Sequence, residues 1–506
     1  MSDPQVGGYS WRLGLVYVFN LLVGAALLAL PKAFAETGWL LGLAFLVILA
    51  FISYLTVTFT VEAMAITNAL LVHKSRLKKQ KNVLKHTGHD YVVENNHTDE
   101  AVDSGNPTVQ YRRTDDSIAI SGCEKEYDLE KEGDTSQMFR INVNVDMGEM
   151  SRMLFHKGFA FIYYISICLY LYGGLSIYAA AVAKSLTTIV CDDSTCFDNN
   201  VTSPCRRFTR FSVADTYRIS LATFTLLICP FTYFNISQTK LLQLFTTLYR
   251  WMSMLTMIVL SVLQIFHNIR QKQLVVPKTA VVENLPRFFG VALYAFMCQH
   301  SIPEVLTPVR KNKRLHLLVV IDFIAVILFY ALVLISAVFA FPVHNLQDLY
   351  TLNFTHPIYL KYMLQFFPIL TLSANFPILS IVLRQNLKNL FLRDTTKDYG
   401  VFLGRILFPS IVVLPPICVA YFTFDISMLV SYTGTYAGAV IQYVVPTMLV
   451  YFGRRKMRKL YGDYNNPLQS PFKHQVWVSV VMFWYLISLG FVVYSKFHKH
   501  AFVQRH

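Results

Sequence analysis

Charge is scarce in this chain. Only 15% of its 506 residues are Asp, Glu, Lys or Arg, while 54% are hydrophobic. That balance excludes an ordinary soluble globular domain and points to a polytopic membrane protein. Enzyme signatures are missing as well: there is no G-x-S-x-G elbow, no H-E-x-x-H pair and no phosphate loop, and the polar residues inside apolar stretches form no catalytic pair. The chain therefore reads as a non-enzyme that needs no cofactor. No nucleic-acid motif is present either, and the net charge of +15 lies in short runs beside apolar windows, where membrane topology places it. Cysteine is sparse, and no histidine accompanies the Cys191, Cys196 and Cys205 cluster, so a disulfide is favoured there over zinc.

What is abundant is uninterrupted apolar sequence. The stretch 39–61 carries no charged side chain, and about 20 such residues cross roughly 30 Å of hydrocarbon as a helix. Eleven windows of this kind fall at 14–34, 39–63, 158–183, 215–234, 248–267, 286–309, 316–341, 361–382, 402–423, 427–452 and 476–495. The first is longer than the apolar core of a secretory signal, lacks a small-residue cleavage site and is followed at once by a second span, so it reads as retained.

Basic residues orient the spans. With residues 1–13 in the cytoplasm, the inside segments 64–157, 235–247, 310–315, 383–401 and 453–475 hold most of the Lys and Arg, notably RKNKR at 310–314 and RRKMRK at 454–459. The outside loop 342–360 holds none, and 496–506 becomes an outside tail. The sequons at Asn200 and Asn353 then lie outside, within reach of glycosylation, whereas those at Asn96 and Asn235 lie inside and should stay bare. The three clustered cysteines share the outside loop 191–214 with Asn200, in an oxidising compartment. Three cysteines allow one bridge, and spacing does not say which two form it.

The long inside loop 64–157 is rich in Lys, Asp, Glu, Ser, Thr and Asn, and most of it, 74–155, is expected to be disordered. It either sets topology as a solvated loop or docks a protein partner; its basic start suits anionic lipid.

Two spans break the pattern. Span 1, NLLVGAALLALPKAF from Asn20, carries Gly24 and Pro31, and span 6 places Gly290, Cys298, Gln299, His300, Ser301, Pro303 and Glu304 where leucines would serve. Polar groups and unwound backbone at membrane depth are tolerated only where protein or a water-filled cavity satisfies them. If spans 1–5 and 6–10 are inverted repeats, the broken helices are the first of each, which is the sequence pointer to a transporter's central site; span 11 is then an addition. Each break offers amide hydrogens to a carboxylate and carbonyl oxygens to a cation.

These residues resemble the amino acid/auxin permease family of the amino acid–polyamine–organocation superfamily. The stretch from Asn20 to Trp39 is similar to that family's first span, YAFMCQHSIPEVL from Tyr294 to its sixth, and SYTGTYAGAVIQYVVPTMLVY from Ser431 to its tenth. Within the family, PKAFA, FMCQHS, TLNF and a long loop after span 2 resemble the transmembrane protein 104 group. The resemblance implies an inverted-repeat fold with broken helices 1 and 6, and secondary transport of amino acids coupled to Na⁺ or H⁺. It implies an ion near Asn20 and near Ser373 or Asn375, and substrate near Gly24, Ala25, Ala26, Cys298, Gln299, His300 and Ser301. Where the family has G-x-G, this chain has Gly24, Ala25 and Ala26, which predicts a narrower or differently unwound site.

His300 reads either as a proton-responsive group or as a histidine bonded to backbone in the break. Asp322 and Arg405 fall near inner span ends, where a rim role is expected, and Glu304 either pairs with His300 one turn on or reaches the rim near Arg310. Arg250 would lie deep in span 5, so a short interfacial helix over 236–247 is expected to precede the span. The competing functional reading is a non-transporting amino-acid sensor or scaffold that signals through the cytoplasmic loop. Plasma membrane and endolysosomal membrane are not distinguished.

Overall fold

The computed structural model describes residues 9–86, 135–155, 157–192, 197, 202–205, 210–233, 240–273, 276–309, 314–391 and 407–503. Among them the only β structure is two isolated bridges, and the rest is helix and connection. The protein is an all-α polytopic membrane protein. Six helices are long and apolar enough to cross a membrane, and shorter apolar helices and the broken passes complete the set.

Pass 1 consists of Trp11–Leu22, a 3-10 turn at Ala25–Leu28 and Leu30–Thr37. Pass 2 is Trp39–His86, pass 3 Lys157–Cys191, pass 4 Val213–Tyr233 and pass 5 Lys240–Arg270. Pass 6 is again split, into Leu285–Ala295 and Ile302–Leu306. Pass 7 is Leu315–Ala340, pass 8 Ile358–Phe391 and pass 9 Phe408–Phe422. Pass 10 runs from Ile426 to Tyr461 with two π-helical stretches, Thr433–Gly438 and Val440–Val444, and pass 11 is Gln475–Val503. The breaks thus fall in the first helix of each set of five.

Three features of the helix boundaries and connections differ from the sequence expectation. Pass 2 continues through the basic run after His73 as one 48-residue helix, roughly 70 Å long and far beyond what the bilayer needs. The expected disordered loop also ends in ordered structure, because its last part carries apolar anchors. Phe139, Ile141, Val145, Met147 and Met150 are buried, and the Asn68 side chain bonds the backbone of Asn142 and Val143. Residues 87–134, with Asn96, lie outside the described residues. Third, pass 5 is a single helix from Lys240, so among the described residues no separate interfacial helix precedes Arg250.

The arginine run at 454–459 is partly a tertiary device. Arg454 makes a two-pronged ion pair with the fully buried Glu62 of pass 2, at 2.8 and 2.7 Å, and also holds the carbonyl of Lys473 at 3.0 Å. The connection between passes 10 and 11 therefore folds back over the inner ends of the bundle. There it covers pass 7, where His316 bonds the Leu468 carbonyl at 3.1 Å. Two turns into Leu315–Ala340, Asp322 is buried and not at a rim: it is 2% exposed, and its Oδ2 has no partner among the described residues.

On the opposite face Cys191 and Cys205 form the disulfide. Cys196 and Asn200 lie outside the described residues, as do Asn235, Arg310 and Arg405. Asn353 sits in a 3-10 turn, where its side chain donates to Tyr350 O at 3.0 Å and accepts from Gln347 N at 3.1 Å.

Candidate functional site

The first break begins where the Trp11–Leu22 ladder ends. Gly24 N donates back to Leu22 O and Leu27 N to Gly24 O, which closes a tight reversal before the 3-10 turn. Gly24 has φ −108° and ψ −157°, and no residue of this break has positive φ. The Ala25–Ala26 departure from G-x-G therefore costs no backbone strain. A β-carbon built on Gly24 would meet no atom within 4 Å, so the break opens on free space. Ala26, by contrast, is buried at 2% exposure.

The second break, Phe296–Ser301, is held by side chains from neighbouring passes. Gln299 is fully buried and donates to Ser53 Oγ at 3.1 Å and Thr56 Oγ1 at 3.0 Å, while its Oε1 accepts from Cys298 N. Ser53 in turn donates to Phe296 O at 2.9 Å. Gln299 thus faces pass 2. His300 packs edge-on against Tyr170 of pass 3, ring centroids 5.2 Å apart, and its buried Nδ1 has no partner among the described residues. Cys298 is a buried free thiol whose carbonyl accepts from Ser301 N and Ile302 N, and Ser301 is half-buried.

One hydroxyl joins the breaks. Tyr330 of pass 7 is fully buried, and its phenol shares its one proton between Leu22 O at 2.8 Å and Ala295 O at 3.2 Å, the last residue of each first half-helix. Pass 5 supplies the other donors to the first break. Arg250 Nη1 lies 3.3 Å from Asn20 O and 3.4 Å from Val23 O, and Trp251 Nε1 donates to Asn20 Oδ1 at 3.0 Å. Trp251 also stacks on Phe19 at 5.0 Å.

Pass 3 presents Tyr170, Gly174 and Tyr178 at four-residue spacing, on one face. A β-carbon on Gly174 would lie 3.5 Å from the Tyr294 hydroxyl and 3.1 Å from Leu379 of pass 8. Passes 6 and 10 approach so closely that a β-carbon on Gly434 would stand 2.2 Å from Gly290 O. Ser373 and Asn375 lie half-buried in pass 8, and among the described residues neither shares a hydrogen bond with Asn20. Glu304 is exposed, in the second half of pass 6.

Ion pairs and backbone contacts tie the broken passes at both faces. On the face of the disulfide, Asp348 bridges Lys32 at 2.9 Å and Lys184 at 3.1 Å, joining pass 1, pass 3 and the connection between passes 7 and 8. Burial pushes the Asp348 carboxyl up, but the Lys184 and Lys32 ammonium groups more than offset this and hold it down to about 2. Nearby, Arg287 of pass 6 pairs with Glu36 of pass 1 and Asp425 at the start of pass 10. On the inner face the Tyr9 phenol donates to Val305 O, and Tyr9 N to Pro308 O. A cavity of about 290 Å³ opens at the inner rim between Arg152, Phe155, Phe161, Tyr164 and Asn389, away from both breaks. Among the described residues no His, Cys, Asp and Glu group could hold a metal ion.

Sequence reasoning found both breaks but missed Tyr330, Arg250's partners and the Glu62–Arg454 pair. Only the Tyr170, Gly174, Tyr178 spacing was available as a signal for the pass 3 face.

The family model for the transmembrane amino acid transporter protein matches residues 7–80 and 119–497. Transmembrane protein 104 of Homo sapiens is 38% identical over 500 residues, covering 96% of each chain, and that of Gallus gallus 38% over 501 with the same coverage. The Transmembrane protein 104 homolog of Drosophila melanogaster is 37% identical over 520 residues, covering 97% of each. With two helices broken at matching places and nearly the whole chain aligned, this protein belongs to the transmembrane amino acid transporter family.

Proposed function

We propose that the protein is a secondary active transporter of amino acids or related small carboxylate solutes. It is coupled to Na⁺ or H⁺ and works by alternating access around a midplane site between passes 1, 6 and 8. The observation that carries this reading is the pair of breaks joined through Tyr330, with Gly24 opening on free space. Backbone without a helical ladder at membrane depth has a use where a solute is held. The amide end of the second half of pass 1 carries the positive end of its dipole and suits a carboxylate. The ion pairs among Lys32, Asp348, Lys184, Glu36, Arg287 and Asp425 then act as an outer gate. Asn200 and Asn353 carry the glycans.

The test is uptake into proteoliposomes under imposed Na⁺ and pH gradients. Gradient-driven flux of an amino acid is expected, and Gly24→Leu should abolish it while the melting temperature holds, since the leucine enters free space. Absence of flux for every amino acid, with saturable binding retained, would favour a sensor. One observation gives the sensor a structural basis: residues 138–154, the end of the cytoplasmic loop, are clamped on the inner ends of passes 2, 3 and 10, where Lys456 bonds Met153 O at 3.1 Å.

A further inference from the structure

A coupling Na⁺ at the first break would need the carbonyl oxygens that end the Trp11–Leu22 helix, with the Asn20 side chain beside them. In this chain those acceptors already have protein donors. Arg250 Nη1 reaches Asn20 O and Val23 O, Trp251 Nε1 takes Asn20 Oδ1, and the Tyr330 hydroxyl takes Leu22 O.

Arg250 is well placed to remain there. It lies ten residues into the 31-residue pass 5, about 15 Å along the helix from Lys240. Among the described residues no carboxylate pairs with it, and the titratable groups nearest it are the Tyr178 and Tyr330 phenols. A guanidinium stays charged at any physiological pH and is costly at membrane depth unless backbone carbonyls or a counter-charge receive it. The negative end of a broken helix supplies both carbonyls and partial charge. A second cation on the same oxygens would stand about 4 Å from the guanidinium. At an effective dielectric of about 20, that repulsion weakens binding roughly a thousandfold.

We infer that Arg250 is a tethered cation that takes the place of Na⁺ at the first break, so that substrate binding and transport by this protein are independent of sodium. The inference rests on the transporter reading for its consequence in flux, but the occupied site stands or falls on binding alone. Trp251 is the positioning residue: its indole fixes the Asn20 amide and stacks on Phe19, which holds the helix end against pass 5.

Thermal unfolding of the purified full chain in NaCl and in choline chloride, matched for ionic strength, tests it without needing a substrate. The wild type should melt at the same temperature in both. Arg250→Gln should melt lower, and millimolar methylguanidinium or Na⁺ should partly restore it, because the vacated carbonyls again accept a cation. Arg250→Lys, which keeps the charge, should lose less. A saturable, sodium-specific rise in the wild-type melting temperature would overturn the inference, as would an Arg250→Gln protein that melts like wild type and responds to neither cation. Should Arg250→Gln fail to fold, the wild-type comparison decides alone. Absence of flux with no sodium-specific rise would refute transport and leave the tethered cation standing; sodium-driven flux would do the reverse.

Discussion

Replacing Tyr330 by Phe removes one oxygen and almost no volume, so cavity terms drop out and the hydrogen bonds at the two breaks are what change. Leu22 O keeps a second donor, Gly24 N, at 3.0 Å. Ala295, the last residue of its helix, loses the phenol that satisfied it at 3.2 Å. A buried acceptor left unsatisfied costs about 1–3 kcal/mol, or roughly 5- to 150-fold in an unfolding equilibrium. Reversible unfolding in mixed micelles, followed by far-UV circular dichroism, measures the total. Hydrogen exchange of the amides around Leu22–Gly24 and Phe296–Ser301 measures where the loss falls, and it should quicken there. Tyr350→Phe is the control. Tyr350 is equally buried, and its hydroxyl lies 2.5 Å from Ser261 Oγ, away from the breaks. It should lower stability without quickening exchange at either break. Wild-type stability in Tyr330→Phe, or exchange that quickens equally in both variants, would refute the idea that one hydroxyl couples the broken helices.

Other outcomes follow from the same geometry. Gly434→Ala places a methyl 2.2 Å from Gly290 O, backbone that cannot swing away, and should cost about 1–3 kcal/mol by unfolding or block folding altogether. Gly38 turns between passes 1 and 2 at φ +94°, with Ala280 N only 2.7 Å from an added β-carbon, so Gly38→Ala should cost about 1–3 kcal/mol from strain. Asp348→Asn leaves Lys184, 3% exposed, without its counter-charge and should cost about 3–5 kcal/mol. The Asp348 carboxyl is held down to about 2 in the folded protein, against roughly 3.9 unfolded. Its stabilisation is therefore fully present above about pH 4 and fades as pH falls through about 2. The melting gap between wild type and Asp348→Asn should be equal at pH 7.5 and pH 5 and shrink below pH 4.

Much of the architecture was legible because hydrocarbon imposes simple rules. A helix must supply about 20 apolar residues to cross, and the windows so found correspond to the helical passes and the shorter apolar helices of the fold. The breaks were legible for the converse reason: Gly24, and the polar run Cys298–Ser301, have no place in a plain span. Family membership followed from the same words. Span length could not set where pass 2 ends, because a helix that leaves the membrane obeys helix propensity and docking rather than hydropathy, and this one reaches His86. Hydropathy likewise missed the docking of 138–154, whose anchors Phe139, Met147 and Met150 are too widely spaced to register as an apolar window.

By itself, then, the sequence determined that the chain spans a membrane many times and interrupts two of its helices, since both follow from local transfer free energies. Tertiary structure alone decided what fills those interruptions. Arg250 reads as a charge to be kept at a rim until the free carbonyls of Asn20 and Val23, 230 and 227 residues away in sequence, are seen to receive it. Glu62 and Arg454, 392 residues apart, pair for the same reason. A buried charge is tolerable only through its partner, and no local pattern names a partner that folding brings from the other end of the chain.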